Sequence, residues 1–146
     1  MSETLTADLL AEKGAYIDTT AGSSMFPMLR HHRDTVTVVP LCGAVKKYDV
    51  VLFRRGSQLV LHRVIGFGED GYRIRGDHCP ESEWVKNEQL VGILSAFTRN
   101  GKSHTVGSPG YVAYSRIIVW FHPLVCWIMK TKSIVYRWKS NQKKKN

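Results

Sequence analysis

The sequence has little cysteine, no acidic residue in its last third and no hydrophobic run long enough to be decisive. Its three cysteines, Cys42, Cys79 and Cys126, are widely spaced and form no CxxC pair. That pattern excludes a zinc knuckle or a disulfide framework and fits a reducing compartment. The first 13 residues lack both a basic start and an apolar stretch, so a secretory signal peptide is not expected there. All 12 acidic residues precede Pro109, together with 13 of the 21 Lys and Arg. Residues 1–109 therefore carry 13 − 12 = +1, and residues 110–146, with 8 basic and no acidic side chains, carry +8. The body is nearly neutral and the tail is basic, which directs attention to an anionic partner for the tail alone.

What is present fits one folded unit. The 146 residues are 43% hydrophobic and 23% charged, ordinary values for a globular protein. Ser2 to Lys13 reads as a short amphipathic helix with Leu5, Leu9 and Leu10 on one face and Gly14 ending it. Short β-like runs follow at Tyr16–Thr20, Thr35–Val39, Asp49–Phe53, Gln58–Phe67, Tyr72–Arg75 and Leu90–Thr98, with a hairpin turn at Glu69–Gly71. The expected fold class is mostly β, with a folded-over sheet or barrel, a short N-terminal helix and a helical basic tail. The expected division is a β domain over 1–109 and an aromatic, basic tail over 110–146.

In the tail, the 13 residues Ile117 to Met129 lie between Arg116 and Lys130 without a Lys, Arg, Asp or Glu. At about 1.5 Å per residue they are too short to cross a hydrocarbon core of about 30 Å. Two short helices broken at Pro123 are expected instead. Trp120, Trp127, Tyr136 and Trp138 among basic residues have the makeup of an interfacial anchor on anionic lipid. Packing back onto the body, or a dimer face, is the plainer alternative; nucleic acid is disfavoured.

Three segments carry chemistry. Gly22-Ser23-Ser24-Met25-Phe26-Pro27 can present a serine hydroxyl on a tight turn, although such a run is also common in ordinary loops. His62 stands inside the apolar run Leu59–Ile65, sharing a face with Val60 and Val64, where a titratable ring needs a partner. Gly76-Asp77 ends a β-like run and can offer a carboxylate to the neighbouring strand, or close an Asx turn. Together they contain the parts of a Ser-His-Asp triad. The Glu69–Gly71 turn brings the Asp77 strand beside that of His62; spacing alone does not bring Ser24 to either. His78-Cys79 lacks a second cluster at ligand spacing, so neither metal nor cofactor is expected.

These motifs occur in a familiar order. Ser24-Met25-Phe26-Pro27 with Asp34 downstream, Asp49–Phe53, Leu61-His62-Arg63-Val64-Ile65 and Arg75-Gly76-Asp77 resemble the signal-peptidase superfamily, which includes the self-cleaving LexA-type repressors. The resemblance covers about residues 20–98. His62 in place of a lysine base points to the endoplasmic-reticulum, archaeal and sporulation-type branch. It implies Ser24 as nucleophile, His62 as general base and Asp77 as acid. Glu83 stands where that branch often has a second aspartate. The Ser24 N–H is the implied oxyanion donor, with the Ser23 hydroxyl as its neighbour. The sequence departs from the pattern at Gly22, at His31-His32-Arg33 before Asp34, and at Tyr48, where a glycine usually precedes Asp49. That family carries a membrane helix ahead of the serine, and residues 1–23 are not expected to form one.

The function implied is a serine endopeptidase that cleaves a leader or signal peptide. Its substrate would be a peptide or preprotein, met in the cytoplasm or peripherally at the inner membrane face. The alternative is a non-catalytic β module that binds lipid or a polyanion through the tail. A LexA-like regulator would need an N-terminal DNA-binding domain, for which 20 residues are too few, and a lysine base.

Overall fold

A computed structural model describes Leu10, Glu12 and residues 14–127. Among the described residues eight strands are formed: β1 (Tyr16–Thr19), β2 (Thr35–Val39), β3 (Val50–Arg55), β4 (Gln58–Gly68), β5 (Gly71–Arg75), β6 (Glu83–Lys86), β7 (Leu90–Arg99) and β8 (Lys102–Thr105). They build one antiparallel sheet in the order β1-β2-β7-β3-β4-β5-β6, with β8 also on β7. The last described element with full bounds is helix α1 (Pro109–Trp120). Most of the helix expected over Ser2–Lys13 lies outside the described residues. Leu10 and Glu12 are helical, Leu10 is buried in the core, and the Gly14 N–H closes on the Leu10 carbonyl at 3.1 Å. Gly14 has φ 68°, the left-handed conformation that lets glycine end a helix.

The centre of the sheet is apolar on both faces. Along β3 the side chains alternate between two cores, Val50 and Leu52 into one, Val51 and Phe53 into the other. That is why this run reads as continuously hydrophobic rather than alternating. β4 pairs β3 with Val51 opposite His62 and Val50 opposite Arg63. The turn expected at Glu69–Gly71 is the β4–β5 hairpin, closed by Gly68 opposite Gly71. Two further strands carry no such pattern. β6 buries only Val85, and all four residues of β8 are exposed, so neither carries an alternating apolar signal.

The change of character at Pro109 marks the start of α1, but the helix shares the first core, where Tyr111 and Tyr114 pack. The helix ends at Phe121 and residues 122–127 are helical again. Pro123 thus falls in the first turn of the second helical segment, where its missing N–H costs nothing. Among the described residues no helix is long and apolar enough to cross a membrane.

Candidate active site

The serine turn is tied together by its own ends. The Thr20 N–H reaches the Asp34 carbonyl at 3.0 Å, and the Thr20 hydroxyl donates to the Arg30 carbonyl at 2.8 Å. Asp34, fully buried, accepts from the Arg30 backbone N–H and from its guanidinium. The Arg30 hydrogen bonds hold the Asp34 carboxyl below the usual carboxylate range, against the opposing effect of burial. Within this closed loop Ser24 is half-buried. Its carbonyl accepts the His78 N–H at 2.8 Å, which fixes the serine turn to the loop after β5.

Gly76 is the closest point of that junction. A methyl group placed on it would lie 2.6 Å from the Ser24 carbonyl oxygen, 2.8 Å from Cys79 Sγ and 3.0 Å from His62 Nε2. Only a residue without a side chain fits there. Ser24, His62, Cys79 and Glu83 line one cleft of about 1090 Å³, with Arg55 at its wall. Among the described residues no hydrogen bond joins the Ser24 hydroxyl to the imidazole; the two groups share the cleft across Gly76. Ser23 is exposed and not part of the lining, and the Gly22 N–H is taken by His31 Nδ1 at 2.6 Å. Burial pushes the Cys79 thiol pKa up, which favours the thiol over the nucleophilic thiolate.

The two carboxylates expected near His62 are placed very differently. Adjacent residues on a strand project to opposite faces, and His62 and Arg63 do so on β4. Asp77 lies on the Arg63 side. Arg63 Nε and Nη2 each donate to it at 2.8 Å, and the Tyr114 hydroxyl donates at 2.9 Å. Arg63 also donates to the Tyr48 carbonyl at 2.9 Å and to the Tyr111 hydroxyl oxygen at 3.2 Å. Burial opposes the Arg63 charge, but Asp77 outweighs it and raises the guanidinium pKa. Burial, then the negative charge of Asp77, likewise raises Tyr114. Asp77, expected to hold the imidazole, is instead the acceptor at the centre of this sealed cluster, and no hydrogen bond joins it to His62.

Glu83 takes the position against the ring. Its Oε1 is 3.4 Å from His62 Nδ1, while Arg55 grips both carboxylate oxygens, the Nε–Oε2 bond being 2.9 Å. The 3.4 Å contact couples the charges but falls short of a well-formed hydrogen bond. His62 Nδ1 is accordingly the buried side-chain nitrogen left without a hydrogen-bond partner among the described residues. An orphaned polar atom of this kind costs about 1–3 kcal/mol. Burial first, then the Arg55 charge, push the His62 imidazole below its ordinary value; Glu83, and Asp77 less strongly, pull it back.

Nε2 therefore lies beside Gly76 and the serine turn and Nδ1 beside a carboxylate, in a ring whose charged form burial disfavours. Among the described residues no group of His, Cys, Asp and Glu is arranged to hold a metal ion. The signals that sequence reasoning missed are Arg63, hidden by its apolar neighbours, and Arg55, at the end of β3. The period of two along β4 separates Arg63 from His62 and was the available clue to the first. No family model matches the chain, and the search of curated proteins gave no match.

Proposed function

We propose that the protein is a serine endopeptidase in which Ser24 attacks, His62 is the general base and Glu83 is the acid behind it. The observation that carries this is the two-sided placement of the His62 ring, with Nε2 beside the serine turn and Nδ1 beside Glu83. The depressed imidazole pKa supports the role, because a base must be neutral at the working pH. In the reaction His62 Nε2 takes the Ser24 proton as Oγ bonds to the scissile carbonyl carbon. The Ser24 N–H helps hold the oxyanion, and Glu83 moves onto Nδ1–H and balances the imidazolium. The imidazolium then protonates the leaving amine, and water, activated in turn by His62, releases the acyl group from Ser24. Asp77 and Arg63 keep β4, the loop after β5 and α1 in register, so Asp77 acts as a structural group.

The signal-peptidase resemblance and its folded-over sheet belong to the same proposal. Two backbone features support it. Tyr48, in place of a glycine, still has φ 81°, the left-handed region that favours glycine. Gly76 occupies a close approach that a side chain would obstruct. A cleft of about 1090 Å³ accommodates several residues of an extended peptide, which suits a leader-peptide substrate.

The test is digestion of a diverse peptide library by the purified full chain, read as new termini by mass spectrometry. Wild type is expected to generate them, and Ser24→Ala and His62→Ala, folded as judged by circular dichroism, are expected to generate none. Cleavage that persists in Ser24→Ala, or its absence from wild type, overturns the assignment.

A further inference from the structure

The helical segment from Pro109 to Trp127 has one covered side and one open, apolar side. One side faces the protein, with Tyr111 and Tyr114 packed on the core and Ser115, Ile118 and His122 buried. The other carries Ile117, Trp120, Phe121, Leu124 and Trp127, each more than half exposed, Trp120 at 76% and Trp127 at 64%. The spacing 117, 120, 121, 124, 127 is one helical stripe. It survives the turn at Phe121 because the Phe121 N–H still bonds the Ile117 carbonyl, and the Leu124 and Val125 N–H groups bond that of Phe121. Single exposed apolar residues are ordinary, but a contiguous stripe with three aromatics is the kind of surface that marks interaction sites.

Charge identifies what covers it. Arg116 flanks the stripe, and residues 128–146 add seven basic and no acidic side chains, with Tyr136 and Trp138 among them. Aromatic and aliphatic side chains beside uncompensated cations match the boundary of an anionic bilayer, where rings lie at headgroup depth. We propose that this stripe seats the protein on an anionic lipid surface, lying on it rather than crossing it. The seat is joined to the cleft. His122, on the inward side, has its Nε2 2.8 Å from the Cys79 carbonyl, and Cys79 lines the cleft. A carbonyl only accepts, so Nε2–H is the donor. Lipid contact thus fixes where the cleft stands relative to the membrane, whatever chemistry Ser24 performs.

The experiment is co-sedimentation of the full chain with vesicles of about 3:1 phosphatidylcholine and phosphatidylglycerol, and with phosphatidylcholine alone. Wild type is expected to bind the anionic vesicles, more weakly in high salt but with a salt-resistant remainder. The double variant Trp120→Ala, Trp127→Ala should lose about tenfold or more in partitioning. Both positions are exposed, so its thermal melt should match wild type; an unfolded double variant is replaced by Leu124→Ser, with the same expectation. Equal binding by wild type and variant overturns the proposal, as does absence of binding or equal affinity for the uncharged vesicles. A dimer that dissociates when the tryptophans are removed, without vesicle binding, would make a second copy the occupant. Binding that depends only on the cations, and is equally competed by free polyanion, would also overturn it.

Discussion

Asp77 and Glu83 stand six residues apart on one loop and its following strand, yet they live in opposite surroundings. Asp77 is 3% exposed and accepts three hydrogen bonds from Arg63 and Tyr114. Glu83 is about one-third exposed, faces the cleft, and is shared between Arg55 and an imidazole nitrogen that lacks a hydrogen bond. A carboxylate with its donors already fixed has little left to offer a histidine, whereas one beside an unpartnered imidazole nitrogen is placed to serve it in the proposed reaction. The difference shows that being an acid near a histidine in sequence is not the qualification. The face of the strand on which the acid arrives decides.

The largest expected effect falls on the cleft side. Glu83→Gln keeps the shape but removes the charge that balances imidazolium and selects the tautomer. In the proposed peptidase kcat should fall by about 10³–10⁴-fold. Thermal stability should change little, because exposed ion pairs contribute only about 0–1 kcal/mol. Steady-state kinetics on a peptide cleaved by wild type, beside a thermal melt, checks both. If Glu83→Gln retains activity and a folded Asp77→Asn loses it, the two acids have been assigned the wrong way round.

The sealed side should break in stability instead. Asp77→Asn leaves the Arg63 guanidinium buried without its counter-charge, a type of change that costs about 3–5 kcal/mol. Urea unfolding should move to markedly lower midpoints, while activity per folded molecule remains near wild type. Adding Arg63→Met should recover part of the loss, since the uncompensated charge is then gone. A double variant no more stable than Asp77→Asn would mean that the cluster contributes through packing around Tyr111 and Tyr114 rather than through the ion pair.

Much of the sheet was legible because its strands carry the right periods. Thr35–Val39 alternates as a half-buried strand should, and the hairpin at Glu69–Gly71 announces itself by residue type. β8 was not legible, since Lys102–Thr105 gains its strand conformation from pairing with β7 rather than from burial. At the site, residue type alone left Ser24 in an ordinary turn and His62 in the core; only the order of the motifs joined them, and both line one cleft. The partner of His62 was harder. The β4–β5 hairpin brings Asp77 near the histidine strand, as expected, but Arg63 captures it from the opposite face. Glu83 reaches the ring only after the chain loops away from β5 and returns as β6, a path that local pattern does not encode.

The smallest and most discriminating effect is on pH dependence. In the proposed peptidase His62 must be neutral to accept the serine proton, and its folded value lies below the ordinary 6.5. The acid limb of kcat/KM should therefore have its midpoint below pH 6.5. Arg55 lowers the imidazole pKa and Glu83 raises it, so the two sides of their ion pair should move that limb in opposite directions. Arg55→Met removes a cation beside the ring and frees Glu83 to approach Nδ1, and both changes favour imidazolium. The limb should shift to higher pH. Residual activity of Glu83→Gln should show the reverse, a limb displaced to lower pH, because the anion that stabilised the protonated ring is gone. Folding follows the same sign. With the folded value depressed, the unfolded chain binds more protons as pH falls past 6.5, so the contribution of His62 to stability is present above that pH and is lost as pH drops through the folded value. Limbs that move together in the two variants would show that Arg55 and Glu83 act on the histidine through a change in the cleft, not through their opposite charges.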